Sequence, residues 1–109
     1  MGRCFLCADI GTSALKAALI DPDGRKVAFT REPYPLERVA TGKIRSSDWE
    51  EALACGWARL ASQEPGVRPA AICISGNGPT LVPLTVDGET LAPLHWYNPR
   101  IPDATAPSL

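Results

Sequence analysis

No stretch of the sequence carries a surplus of one charge. Eleven Lys and Arg stand against 12 Asp and Glu, for a formal net charge of −1. With no long basic run, neither nucleic acid nor an anionic membrane is an expected partner. No apolar run approaches the roughly 20 residues that span a bilayer. The run after Met1-Gly2-Arg3 is too short for a secretion signal. These absences point to a cytoplasmic protein. No internal repeat announces a solenoid. The single histidine, His95, has no evident acidic or cysteine partner and reads as structural. What is present is a chain of 109 residues, 45% of them hydrophobic. That is enough for one domain with a modest core, and too little for two substantial lobes.

Four cysteines occur, Cys4, Cys7, Cys55 and Cys73. Cys4 and Cys7 have C-x-x-C spacing, which raises zinc and redox readings. Both fall in an expected strand, where residues three apart point to opposite faces. A shared ligand site then needs a tight turn between them. The four are therefore expected to be buried as small apolar residues, with zinc or a disulfide as the competing readings.

The first thirty residues read as three consecutive antiparallel strands, a meander over residues 4–30. Phe5 to Ala8 is a short apolar run ending at Asp9. Ala14 to Ile20 is a second, interrupted by Lys16. Asp21-Pro22-Asp23-Gly24 is a strong turn signal, and Arg25 to Thr30 forms the third strand. Residues 31–46, with Pro33 and Pro35, read as an irregular connection. Ser47 followed by Glu50 has the spacing of a capping box, predicting a helix over about 47–62. Trp49, Leu53, Trp57 and Leu60 mark its apolar face, and Pro65-Gly66 ends it. Core packing is the expected role of the tryptophans, with a ligand platform the alternative. Ala70 to Ser75 is a second buried-strand candidate. Residues 80–94 read as a hairpin turning on Asp87-Gly88, followed by a Pro-containing tail from Asn98.

Two clusters carry chemistry. The first is Asp9-Ile10-Gly11-Thr12-Ser13, with Lys16 just beyond. Nucleotide phosphates need backbone N–H groups at close range, hydroxyl donors and a balancing cation or metal. Gly11 permits a sharp turn and close approach to the backbone. Thr12 and Ser13 supply hydroxyls, Asp9 a carboxylate for magnesium, and Lys16 a cation. No G-x-x-x-x-G-K-[ST] run exists, and a strand rather than a helix follows, so this is not a Walker loop. An ordinary hairpin turn is the competing reading.

The second cluster runs from Ser75 to Arg100. Gly76-Asn77-Gly78-Pro79 follows the second buried-strand candidate. The third glycine of a dinucleotide fingerprint is absent and no helix follows, so that reading fails. A substrate loop with Asn77 as a hydrogen-bonding side chain and a plain chain reversal are equally open. Trp96 is placed to wall a sugar site, with Asn98 and Arg100 as partners for hydroxyls. A half-buried aromatic corner is the alternative.

Taken together, in this order and separation, the two clusters resemble the FGGY carbohydrate kinases, which include xylulokinases, gluconokinases and glycerol kinases. Ala8-Asp9-Ile10-Gly11-Thr12-Ser13-Ala14-Leu15-Lys16 is similar to the family's first phosphate motif, which is also shared with actin-like and Hsp70-like ATPases. The helix near Trp49, the strand Ile72-Cys73-Ile74-Ser75-Gly76 and the run Leu91-Ala92-Pro93-Leu94-His95-Trp96 resemble the elements that follow in that family.

The resemblance implies an incomplete ribonuclease-H-like, actin-like ATPase N-terminal lobe of α/β class. Its mixed sheet would have antiparallel first three strands and a flanking helix. It also implies phosphoryl transfer from MgATP to a sugar or polyol hydroxyl. By position, Asp9 would belong to the magnesium and catalytic region. Gly11, Thr12 and Ser13 would meet the ATP phosphates, with Lys16 near them. Asn77, Gly78, Pro79 and Thr80, with Trp96 and Asn98, would border the substrate. The chain departs from the pattern where xylulokinase-like members carry Gln-Met-His and glycerol kinases Arg-Glu, having Asn77-Gly78-Pro79 instead. It also has Trp96-Tyr97-Asn98 where Trp-Asn-Asp is common. Members run to several hundred residues, and their general-base aspartate and second lobe would lie beyond Leu109. The 109-residue chain alone is therefore expected to lack kinase activity. A free-standing, non-catalytic nucleotide-binding or regulatory module is the second reading. Association into a homodimer is left open.

Overall fold

A computed structural model describes residues 2–76 and 80–95. Four strands form a mixed sheet in the order β3-β2-β1-β4. β1 (Phe5–Ile10), β2 (Ala14–Ile20) and β3 (Lys26–Pro33) are antiparallel neighbours. β4 (Ala71–Gly76) lies parallel to β1 on its other side. A strand parallel to its neighbours needs a long crossover. That crossover carries α1 (Leu36–Thr41) and α2 (Ser46–Gln63).

Alternation along each strand decides which residues meet α2. Leu6 and Ala8 of β1, Leu15, Ala17 and Leu19 of β2, and Ala28 of β3 are buried together in one core. They pair across the strands as Leu6 with Leu19, Ala8 with Ala17, and Leu19 with Ala28. Leu15, Leu19 and Leu60 are the largest fully buried aliphatic side chains. The opposite residues of the same strands, among them Cys7, Asp9, Lys16 and Phe29, lie on the face that no described helix covers.

α2 sits close to β2 and β3 because small residues lie at its contact. Its buried row is Asp48, Ala52, Gly56 and Leu60, one per turn. A Cβ at Gly56 would lie 3.4 Å from Thr30 Cγ2, 3.5 Å from Glu32 Cγ and 3.6 Å from Leu15 Cδ2. Trp49, Leu53 and Trp57 pack beside this row and stay half-exposed. The core face is therefore turned from the expected Trp49-Leu53-Trp57-Leu60 stripe, since bulky rings cannot occupy the line of closest approach.

Four further expectations are corrected. First, α2 starts at Ser46, and its N-terminal bonds use Arg45 and Asp48 rather than Ser47 and Glu50. Asp48 Oδ2 accepts the Arg45 N–H at 2.9 Å, and the Asp48 N–H donates back to the Arg45 carbonyl at 3.0 Å. The Asp48 carboxylate is buried and also takes the Arg38 guanidinium, which explains why it can sit inside the fold. Second, residues 31–46 are not irregular throughout. β3 continues to Pro33, and α1 brings Arg38 to Asp48. Third, β4 is exposed along its whole length. It forms a sheet edge that α2 only approaches, leaving an open groove between Ile74 and the side chains of Trp49 and Leu53. Fourth, Gly88 is not at the centre of a two-residue turn. The Thr85 and Glu89 backbones pair across a three-residue loop in which Gly88 takes φ 87°. The Asp21–Arg25 turn has the same pattern, with Gly24 at φ 85°. The expected hairpin over 80–94 is held by the bridge from Leu84 to Thr90 and by the short strands β5 (Thr80–Leu81) and β6 (Leu94–His95).

Candidate phosphate-binding turn

β1 and β2 are joined by the tight turn of Gly11, Thr12 and Ser13. The Gly11 N–H donates to the Ala14 carbonyl at 3.0 Å. A Cβ at position 11 would stand 2.7 Å from that carbonyl oxygen. This is a backbone atom that cannot swing aside, so the turn requires glycine there.

A residue that the sequence reading did not single out holds this turn from behind. The Tyr34 hydroxyl donates to the Gly11 carbonyl at 3.0 Å. The Tyr34 backbone N–H donates to the Ser13 carbonyl at 3.0 Å. Tyr34 is only 4% exposed. Burial, and then the nearby Asp9 charge, push its hydroxyl up to about 12. The available signal was an aromatic residue between Pro33 and Pro35, which is unusual for a solvated connection.

Asp9 and Lys16 are directly opposed across the β1–β2 hairpin. Both are exposed, and both lie on the face away from α2. On its other side Asp9 is in register with Ser75 of β4, and Ile10 with Gly76. The sheet thus brings the ends of the two chemical clusters side by side. Asn77, Gly78 and Pro79, which follow at once, lie outside the described residues, as do Trp96 and Asn98. Thr80 is the first residue of β5.

An exposed carboxylate and two hydroxyl residues around a glycine turn offer hard oxygen ligands, and the Lys16 ammonium opposite Asp9 offers a cation for phosphate. No group of three or more His, Cys, Asp or Glu residues forms a metal cluster among the described residues. The Asp9 carboxylate is the kind of hard oxygen ligand that magnesium takes, commonly one or two of them together with waters and substrate phosphates.

The cysteines depart from expectation. Cys4 is fully buried, Cys7 is half-buried, and Cys55 and Cys73 are exposed. Cys55 lines an open groove between α2 and residues 33–35, and Cys73 lies on the exposed β4. Cys4 and Cys7 belong to opposite faces, as their spacing requires. Burial, followed by the adjacent Cys73 thiol, pushes the Cys7 thiol up.

No family model matches the chain, and no curated protein matches it. Solved structures do. Gluconate kinase from Lactobacillus acidophilus aligns with 86% of this chain at TM-score 0.70 and 28% identity, over 20% of its own length. The ligand-bound xylulose kinase from the same organism aligns with 87% at TM-score 0.70 and 27% identity, over 20% of its length. Xylulose kinase from Rhodospirillum rubrum aligns with 97% at TM-score 0.80 and 25% identity, over 23% of its length. The fold is that of a sugar-kinase N-terminal lobe, the actin-like ATPase architecture expected from the sequence. The chain spans about a fifth of the length of these kinases. No described helix is long and apolar enough to cross a membrane.

Proposed function

We propose that residues 1–109 form part of the N-terminal domain of a carbohydrate or polyol kinase of the FGGY type, and that the Asp9–Lys16 turn receives the phosphates of MgATP. The supporting observation is the overlap with sugar-kinase lobes at TM-scores of 0.70 to 0.80, combined with a glycine turn flanked by an exposed carboxylate and lysine. Gly11, whose N–H closes the turn, lets a phosphate approach the backbone, and Thr12 and Ser13 meet the phosphates with their hydroxyls. Lys16 balances their charge, and Asp9 holds magnesium directly or through its water. The magnesium ion supplies charge neutralisation on the phosphates during transfer to a sugar or polyol hydroxyl. Tyr34 fixes the carbonyl side of the turn, so that its geometry is set before nucleotide arrives. Asn77, Gly78, Pro79, Thr80, Trp96 and Asn98 border the acceptor.

Transfer needs groups on both sides of a closed cleft. The 109-residue chain therefore binds nucleotide without turning it over. Titration of the isotopically labelled chain with MgATP tests the reading. Amide signals of Gly11 to Ala14 should shift first, and shifts confined to other regions would overturn it. Steady ADP formation by this chain alone, dependent on an added sugar, would refute the claim that it is inactive by itself.

A further inference from the structure

Cys7 and Cys73 are direct partners on adjacent parallel strands, although 66 positions separate them in the chain. Both lie on the sheet face away from α2, and they line one shallow groove with Ala18 and Phe29. The two thiols are in hydrogen-bond contact, and both are reduced. We propose that Cys7 and Cys73 form a reversible disulfide by exchange with a low-molecular-weight disulfide, tying the exposed edge strand β4 to β1.

Register and contact carry the assignment. Residues directly opposite on neighbouring strands project to the same face, so neither side chain has to cross the sheet. Strands about 4.8 Å apart place such a pair within the roughly 4.4–6.8 Å between Cα atoms that disulfides span. The contact between the thiols shows the side chains already turned toward each other. No other cysteine competes. Of the four in the chain, Cys4 is buried in the core on the other side of the sheet, and Cys55 belongs to α2, which packs on that side.

Exposure divides the roles. Cys73 is exposed, so its thiol meets a small disulfide arriving from solvent. Burial pushes the Cys7 thiol up, which makes it slow toward a free reagent. Beside a mixed disulfide at Cys73 it needs no diffusion, because contact makes the second step intramolecular. In the first step Cys73 gives its proton to solvent, and its sulfur attacks one sulfur of the small disulfide, expelling a thiolate. Cys7 then gives up its proton and attacks the Cys73 sulfur, expelling the second thiolate. Two protein thiols are oxidised to one disulfide, and the small disulfide is reduced to two thiols. Excess small thiol drives the exchange backwards. The bond sits two residues before the Asp9–Ser75 pair. It uses neither the glycine turn nor nucleotide, so it stands or falls independently of the proposed kinase role.

The test is equilibration of the purified 109-residue protein with mixtures of oxidised and reduced glutathione, then acid quenching, alkylation and peptide mapping by mass spectrometry. Wild type should yield the Cys7–Cys73 linked peptide in oxidising mixtures and lose it in reducing ones. Cys55→Ser should behave as wild type does. Cys7→Ser lacks the resolving thiol, and should accumulate the Cys73–glutathione mixed disulfide roughly tenfold over wild type. Equal accumulation in the two proteins, or a bond from Cys73 to any other cysteine, would overturn the assignment. A second measurement needs no variant. Oxidised wild type should melt about 10 °C above the reduced form, because the bond closes a long loop of the unfolded chain. A lower melting temperature for the oxidised form would show that the bond distorts the native strands, and would refute the site.

Discussion

The two edges of the sheet are finished in different ways. At β3, the last turn of α2 bends its Gln63 side chain onto the open backbone of Phe29. The Gln63 amide donates to the Phe29 carbonyl at 3.1 Å, and the Phe29 N–H donates to Gln63 Oε1 at 3.4 Å. That edge strand is capped by side-chain groups where a further strand would otherwise bond. At β4, Ile72 and Ile74 remain 61% and 56% exposed. The groove beside it, lined by Trp49, Leu53, Ile10 and Ile74, is open. Packing is concentrated where β2 and β3 meet α2. The proposed phosphate turn joins β1 to β2, and its Asp9 stands on β1, between the covered half and the exposed β4.

This contrast yields a ranked set of tests. The largest effect is expected in the covered half. Leu60→Ala should lower unfolding stability by about 2–5 kcal/mol, whereas Ile74→Ala should stay within about 0.5 kcal/mol. Urea denaturation of both variants measures the difference, and similar losses would erase the distinction between the two edges. Next comes the helix–sheet contact. Gly56→Val should cost about 1–3 kcal/mol through overpacking against Thr30, Glu32 and Leu15, read from the same denaturation curves.

Tyr34→Phe should cost about 1 kcal/mol by removing the bond to the Gly11 carbonyl. Its pH signature is specific. The Tyr34 hydroxyl holds its proton to about 12 in the folded chain, above the ordinary value of 10.0. The unfolded chain ionises first, so alkali favours unfolding. The stability linked to this raised value is fully present below about pH 10 and is lost as pH rises toward 12. The gap between wild type and Tyr34→Phe should therefore narrow across that window in pH-dependent melts. A constant gap would place the Tyr34 contribution elsewhere. The smallest effect is expected at Arg59. Its Nε donates to Glu32 at 3.1 Å, but its side chain is mostly exposed. Glu32 keeps the Thr30 hydroxyl as a partner. Arg59→Ala should cost less than about 1 kcal/mol, and added salt should shrink the difference.

Much of the covered half was legible in the sequence. The apolar runs Phe5 to Ala8 and Ala14 to Ile20 mark two strands, and Asp21-Pro22-Asp23-Gly24 the turn that follows, though not which face of each strand meets α2. What escaped were features set by distant contacts. The burial of Asp48 depends on Arg38, ten residues earlier, so no local pattern separates it from the capping candidates Ser47 and Glu50. The small residues Ala52 and Gly56 carry a weak apolar signal beside two tryptophans. Only the approach of β2 and β3 shows that they occupy the contact. β4 reads as buried because its residues are apolar, yet burial depends on what lies across it. At the candidate site, Gly11 and its neighbours were evident from residue type and spacing. Tyr34 was not, because its partnership with Gly11 arises from the register of β3 against β2. The pairing of Cys7 with Cys73 was hidden for the same reason.

The central claim is that the turn after β1 holds nucleotide phosphates with Asp9 as the metal-facing carboxylate. Calorimetric titration of ATP into the wild-type chain and into Asp9→Ala, each with and without magnesium, tests it most directly. The account predicts binding by wild type that requires magnesium and is abolished in Asp9→Ala. Equal binding by the two proteins, or binding by wild type that ignores magnesium, would contradict it.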